Sequence, residues 1–193
     1  LYVHALNPHG FSFQRRVTHE NVDLNRNFQD FRQPLPPNPG YAELHPLLIP
    51  AQWPPNADNM AAHGDFVATH GMKGLQDIVS RGQHSHADGL FYGGVAPTWS
   101  NTAVRQVLRQ YAARCERLAW IDLHTGLGPR GIGERIFACR DDKAAFARAQ
   151  QWWGNAGNPS GATPVTSIYD GSSSSAFLTG LMWQSAYEEC PQA

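Results

Sequence analysis

The densest group of chemically useful side chains lies between residues 15 and 28, where Arg15-Arg16 precedes Asn21-Val22-Asp23-Leu24-Asn25-Arg26-Asn27-Phe28. Amides, guanidinium groups and a carboxylate gathered beside an apolar run have the makeup of a carboxylate or oxyanion site, because a guanidinium offers paired donors to two anionic oxygens. A surface ion pair between Asp23 and Arg26 on a solvated loop is the plainer account of the same residues. The second candidate is Asp122-Leu123-His124-Thr125-Gly126. A histidine at the tip of an apolar run, with a carboxylate two residues earlier to orient its ring, suits a metal ligand. A hydrogen-bonded structural histidine is the alternative. His84 and His86 share a face of an extended segment and could pair on a metal, but no third ligand stands near them in sequence. Tyr169, ahead of Asp170-Gly171-Ser172, reads as a strand-end aromatic with its hydroxyl in water. The Ser172-Ser173-Ser174-Ser175 run lacks a G-x-S-x-G elbow, which argues against a serine hydrolase. Neither H-E-x-x-H nor HxxE occurs in the chain.

Elements must position these groups. Residues 1–6 are apolar and end in the turn Asn7-Pro8-His9-Gly10, and residues 119–123 end in His124-Thr125-Gly126. Both runs read as strands delivering their C-terminal ends into loops, where ligand sites of open α/β sheets lie. From Asn25 to about Asn59, Pro34, Pro36, Pro37, Pro39, Pro46, Pro50, Pro54 and Pro55 argue against regular helix or central strand. Tyr41, Trp53 and several leucines make that insertion a packed loop rather than a linker.

Residues 60–80 show helical spacing interrupted near His70-Gly71, and residues 101–118 form a clear helical pattern with Asn101 as N-cap. A strand over 134–139, a helix over 141–153 capped by Asp141 or Asp142, a β-prone run over 163–169 and a helix over 176–187 follow. Strands alternating with helices predict an α/β fold with a mixed, largely parallel central sheet flanked by helices, carrying the long Pro-rich insertion.

With 193 residues the chain suits one domain, 1–193, able to bury a sizeable core. A net charge of -1 argues against a broad electrostatic footprint for nucleic acid. Cys115, Cys139 and Cys190 are widely spaced and form no CxxC pair, so neither a disulfide framework nor a cysteine zinc site is expected, and a cytoplasmic setting is preferred. No run reaches the length of a membrane span. The chain opens in an apolar run without an initiator Met and stops at Tyr187-Glu188-Glu189-Cys190-Pro191-Gln192-Ala193 without a closing strand. Truncation at both ends is therefore expected.

In this order the motifs resemble those of the zinc carboxypeptidase family. Asn7-Pro8-His9-Gly10-Phe11, Arg16 and Val22-Asp23-Leu24-Asn25-Arg26-Asn27-Phe28 look like the stretch carrying that family's oxyanion arginine and the Asn-Arg pair that holds a substrate's terminal carboxylate. Asp122-Leu123-His124-Thr125 looks like its third zinc ligand, and Ile168-Tyr169-Asp170-Gly171-Ser172 is similar to the loop whose tyrosine covers bound substrate. Gly82-Gln83, then Gly89-Leu90-Phe91-Tyr92-Gly93-Gly94 and Pro97-Thr98-Trp99-Ser100-Asn101, resemble a bacterial branch of predicted metallopeptidases within it.

The resemblance implies a zinc-dependent peptidase of carboxypeptidase type, hydrolysing an amide next to a carboxylate-bearing residue. Arg16 and Tyr169 would be catalytic, Asn25 and Arg26 would bind the substrate carboxylate, and His124 would ligate zinc. Arg15 is a neighbour that competes for the role of Arg16, and the spacing from Arg16 to Asn25 fits the family better. The implied partner is a peptide or an N-acyl amino acid with a free carboxylate, and a zinc deacylase of N-acyl amino acids is the alternative reaction. The family's HxxE, which supplies the first two zinc ligands, is expected upstream of Leu1. Its general-base glutamate is expected at Glu188, at Glu189 or beyond Ala193, the last being favoured because Pro191 fits a central strand poorly. Taken alone, these 193 residues are accordingly expected to be inactive, as a carboxylate-binding module.

Overall fold

In the computed structural model, which describes residues 1–124, 129–154 and 164–191, the Asn7-Pro8 turn opens a short helix, α1 (Pro8–Phe13). Asn7 is its N-cap, with Oδ1 accepting the Gly10 N–H at 2.9 Å, and Pro8 occupies the first turn, where its missing N–H loses nothing. The apolar run before it is not the expected strand. Residues 1–6 have no regular structure, Ala5 adopts a left-handed φ of 56°, and Leu1, Tyr2 and Val3 are exposed. Residues 119–123 likewise form no strand, with Ile121 and Leu123 exposed. Apolar, β-prone composition makes a strand only where another strand satisfies its backbone, and neither run has a ladder partner among the described residues.

Contacts group the chain into two compact units, Leu1–Leu118 with Leu178–Ala193, and Ala119–Phe177. The first unit is helical. Asp23 caps α2 (Leu24–Asn27), the one-turn helix that carries the Asn-Arg pair. The Pro-rich insertion contains a regular helix after all, α3 (Pro39–Leu48), because Pro39 sits at its start and Pro46 falls in its last turn, where few hydrogen bonds remain to lose. Tyr41 and Leu44 of α3 are completely buried. Helix α4 (Ala57–Arg81) follows the expected periodicity and breaks at Gly71, whose φ of 71° and ψ of 162° no helix accommodates.

Helix α5 (Trp99–Val107) begins earlier than expected, because the Thr98 hydroxyl, not Asn101, caps it by accepting the Asn101 N–H at 3.2 Å. A single π turn, Leu108–Ala112, ends it short of residue 118. The C-terminal helix is shorter than predicted as well: α7 spans Gln184–Glu189, and residues 176–183 are irregular. Gly180 explains part of this. Its φ is 72°, its carbonyl accepts the Phe28 N–H at 3.0 Å, and a Cβ there would collide with the carbonyl oxygen of Arg26. Val22, Leu24, Phe28, Val104, Leu108 and Leu181 form much of the core around these elements.

The second unit is a β-α-β arrangement. Strand β1 (Arg135–Phe137) and strand β2 (Val165–Ser167) pair in parallel, with Arg135 opposite Val165 and Phe137 opposite Ser167. Helix α6 (Lys143–Trp153) packs on both strands. Of the two predicted caps Asp142 is used, accepting the Ala144 and Ala145 N–H groups. The molecule is therefore of mixed α/β type, and the parallel sheet among its described residues has two strands.

Candidate functional site

Asp23 organises the Asn-Arg stretch. Its Oδ1 accepts the Asn25 N–H at 2.9 Å, which starts α2, while Oδ2 accepts from Arg16 Nε at 2.7 Å and lies 3.9 Å from Arg26 Nη1. Asp23 and Arg26 are both almost fully buried, so the charges are held as a compensated pair, not as the solvated surface pair that sequence alone also allowed.

Arg26 spends its donors on the backbone. Nε and Nη2 both reach the Ser80 carbonyl, Nε at 3.0 Å, and Nη1 donates to the Asn25 carbonyl at 3.0 Å. Burial pulls its pKa below the ordinary arginine value; Asp23 works against that shift, and the Arg16 charge adds to it. It remains a cation, as arginine does in proteins. Gly82 lies flat on its aliphatic stem, since a Cβ there would stand 2.6 Å from Arg26 Cδ.

Arg16 is the contrast. Its side chain is 54% exposed, Nε is committed to Asp23, and its two terminal nitrogens have no hydrogen bond among the described residues. Its guanidinium carbon lies 5.2 Å from the centre of the Phe91 ring, and that of Arg26 lies 5.1 Å from the same ring. Two guanidinium groups against one aromatic ring, with one carboxylate between them, leave a net positive charge with open donors on the Arg16 side.

The ring is placed by strain. Phe91 has a φ of 51°, a left-handed conformation that a bulky residue adopts at a cost of about 1–3 kcal/mol, and such outliers gather at functional sites. The loop 82–94 that bears it is braced from within. The fully buried Gln83 side chain accepts the Ser85 and His86 N–H groups at 2.8 and 2.7 Å and donates to the His86 carbonyl at 2.7 Å. Tyr41 Oη accepts the Leu90 N–H, and Asn21 Nδ2 donates to the carbonyls of Ala87 and Gly89. Sequence reasoning met Gln83 and Phe91 only inside a motif resemblance and gave neither a role in the site.

Asn25 and Asn27 are structural as well as local neighbours of the arginines. Asn25 Oδ1 accepts the Met182 N–H at 3.3 Å. Asn27 is completely buried: Nδ2 donates to the Gly93 and Ala96 carbonyls, and Oδ1 accepts from the Thr98 N–H, the Thr98 hydroxyl and Asn101 Nδ2. Asn101 hands the connection on, because its Oδ1 accepts from Arg105 Nε at 2.8 Å. Arg105 and Arg109 in turn hold Glu189, and Arg105 also holds Glu188, so both candidate glutamates are ion-paired on α7. Burial raises the Glu189 pKa, but the hydrogen bonds from Arg109 and Arg105 outweigh it and hold the carboxyl below its ordinary value.

The two loop histidines do not face one partner. His84 Nδ1 contacts the Gly94 carbonyl at 2.6 Å, whereas His86 lies against His45, with ring centres 4.2 Å apart, and shares Nδ1 with the Ser85 hydroxyl. His45 Nε2 is 3.4 Å from Asp88 Oδ1.

The second unit holds the other two predicted residues. His124 Nε2 lies 2.7 Å from Asp122 Oδ2, the carboxylate–imidazole contact anticipated for an oriented ligand. Thr125 and Gly126 of that motif lie outside the described residues. Tyr169 is half-buried, donates its hydroxyl to the Ala138 carbonyl at 3.3 Å, and meets Phe137 and Phe177 edge-on. Its hydroxyl is therefore not simply in water as read from sequence. Burial first, and the Cys139 and Asp141 charges after it, push its pKa up to about 12, so at neutral pH it is a proton donor. Among the described residues no group of three or more His, Cys, Asp or Glu side chains could hold a metal ion.

A family model described as "Protein of unknown function (DUF2817)" matches residues 1–193, and the chain belongs to that family. No curated protein and no solved structure matches it.

Proposed function

We propose that this DUF2817 chain belongs to a zinc-dependent amide hydrolase of carboxypeptidase type, acting on an amide next to a carboxylate, and that the Arg16 and Arg26 site anchors that carboxylate. The supporting observation is the pair of guanidinium groups on the Phe91 ring with Asp23 between them, one buried and fixed, the other with open donors. Arg26 and Asn25 frame the site and set its charge, and Arg16 offers the two terminal nitrogens that a carboxylate or a developing oxyanion accepts. The resemblance of this stretch, of Asp122-Leu123-His124 and of Ile168-Tyr169-Asp170 to zinc carboxypeptidase motifs supports the reaction class. The same reading calls for a carboxypeptidase-like sheet larger than the two-stranded parallel pair of the described residues.

His124, oriented by Asp122, would be one zinc ligand, and zinc when bound supplies Lewis acidity and an activated water. Tyr169 holds its proton at neutral pH and, on leaving the Ala138 carbonyl, would donate it in a hydrogen bond to bound substrate. The cysteines are all outside disulfides, in keeping with a cytoplasmic location, and no described helix is long and apolar enough to cross a membrane.

The test is hydrolysis by the zinc-supplemented full-length protein of three substrates: a peptide with a free C-terminal carboxylate, the same peptide amidated, and an N-acyl amino acid. Cleavage confined to substrates bearing a free carboxylate is expected. Equal cleavage of the amidated peptide would remove the anchor, and no cleavage of any would remove the hydrolase. Preference for the N-acyl amino acid over the peptide would favour the deacylase reaction on the same site.

A further inference from the structure

Asn101 and Arg105 stand one helical turn apart on α5, and Arg105 Nε donates to Asn101 Oδ1 at 2.8 Å. A guanidinium can only donate, so Asn101 must turn its oxygen to Arg105 and its Nδ2 to Asn27, where it reaches the backbone carbonyl at 2.9 Å and Oδ1 at 3.2 Å. The Gly93 and Ala96 carbonyls can only accept, so Asn27 must turn Nδ2 to them, at 2.9 and 3.0 Å, and its Oδ1 back to Thr98 and Asn101. The two ends thus fix both amides in the same sense, and donors run one way from a cation to the end of the 82–94 loop. That end belongs to the anchor. Asn27 directly follows Arg26, Gly93 comes two residues after Phe91, whose ring faces both guanidinium groups, and the Tyr92 carbonyl between them accepts the Asp23 N–H at 2.8 Å. Asn27, Thr98 and Asn101 are all buried. Stability alone does not call for such a chain, since apolar side chains of the same shape can replace a buried hydrogen-bonded pair at little cost. What the polar chain adds is direction.

We propose that Arg105 is a positioning residue of the carboxylate anchor: by orienting the Asn101 and Asn27 amides it holds residues 91–93, and with them the Phe91 ring on which Arg16 rests its guanidinium. The assignment rests on the carboxylate-anchor reading. The same guanidinium also binds α7, but with a different nitrogen: Nη1 donates to Glu188 and Glu189, while Nε serves Asn101. The two tasks can therefore be separated.

The experiment compares Arg105→Gln with Arg105→Met. Glutamine places an amide nitrogen where Nε stands and keeps a donor to Asn101, but loses both contacts to α7. Methionine places a methyl group there and loses the donor along with those contacts. Both variants lose the same charge, and both should unfold at a lower temperature than wild type. Calorimetric titration with N-acetylglycine should show Arg105→Met binding about three- to tenfold more weakly than Arg105→Gln, the range of one hydrogen bond. The Asn27 side-chain amide signal in NMR should keep its wild-type position in Arg105→Gln and move in Arg105→Met.

Equal affinity of the two variants, with wild type binding the ligand, overturns the role of Arg105 and leaves the anchor standing. Failure of wild type to bind N-acetylglycine overturns the anchor and this inference with it. Should Arg105→Met not fold, wild type is titrated with N-acetylglycine while the Asn27 and Asn101 side-chain amides are followed by NMR. Coupling between two sites is reciprocal, so both signals should shift along the ligand's own binding curve. Signals that stay in place while the ligand binds would overturn the proposal.

Discussion

Arg16 and Arg26 present the same functional group at opposite extremes of burial, and that difference sorts their mutants. Arg16→Gln removes two open donors and also the 2.7 Å bond to the buried Asp23, so carboxylate affinity should fall about tenfold and the melting temperature should fall as well. Calorimetric titration paired with thermal unfolding checks both halves. Arg26→Ala instead removes the buried cation beside Asp23 and leaves the Ser80 carbonyl without its donors, and should destabilise the first unit by about 3–5 kcal/mol in denaturant unfolding. Arg26→Lys should not restore it, because an ammonium cannot reach the Ser80 and Asn25 carbonyls together. Asn27→Ala leaves several buried polar groups unpaired, each worth about 1–3 kcal/mol, and should be at least as damaging. The residue types of this stretch announced anion chemistry. Which arginine faces outward was not legible, since burial is decided by Ser80 and Gly82, far away in sequence.

Elements were legible where the signal was local. The cap at Asp142, the break at Gly71 and the strand at 135–137 rest on neighbouring residues and matched expectation. The strands expected at 1–6 and 119–123 depended on partners elsewhere in the chain, and the early start of α5 depended on Thr98, a cap indistinguishable by composition from Asn101. Thr98→Ala should cost about 1 kcal/mol or more, since the hydroxyl also serves Asn27. Helix α7 is tied to α5 and the π turn by Arg105 and Arg109 through Glu188 and Glu189. With the Glu189 pKa lowered in the folded state, its stabilising contribution is complete above the ordinary glutamate range and is lost as pH falls through the depressed value. Glu189→Gln should flatten that acid limb in unfolding measured from neutral pH downward, and an unchanged limb would show that the clamp contributes nothing.

At the scale of the whole molecule, composition and alternation placed the chain in the mixed α/β class, and the parallel β1–β2 pair agrees. Among the described residues the sheet has two strands, because the apolar runs at 1–6 and 119–123 find no ladder partner there. The predicted site residues fall in two units, Arg16, Asn25 and Arg26 in the first and His124 and Tyr169 in the second. The first of these groups is geometrically specified, by the sharing of Asp23 and of the Phe91 ring. The account therefore stands on carboxylate recognition there. Its most direct test is calorimetric titration of the protein with N-acetylglycine and with N-acetylglycinamide, which lacks the carboxylate. Binding of the acid at least tenfold tighter than the amide, with the difference abolished in Arg16→Gln, is the predicted result. Equal affinity for the two ligands, or a preference that survives Arg16→Gln, would contradict it.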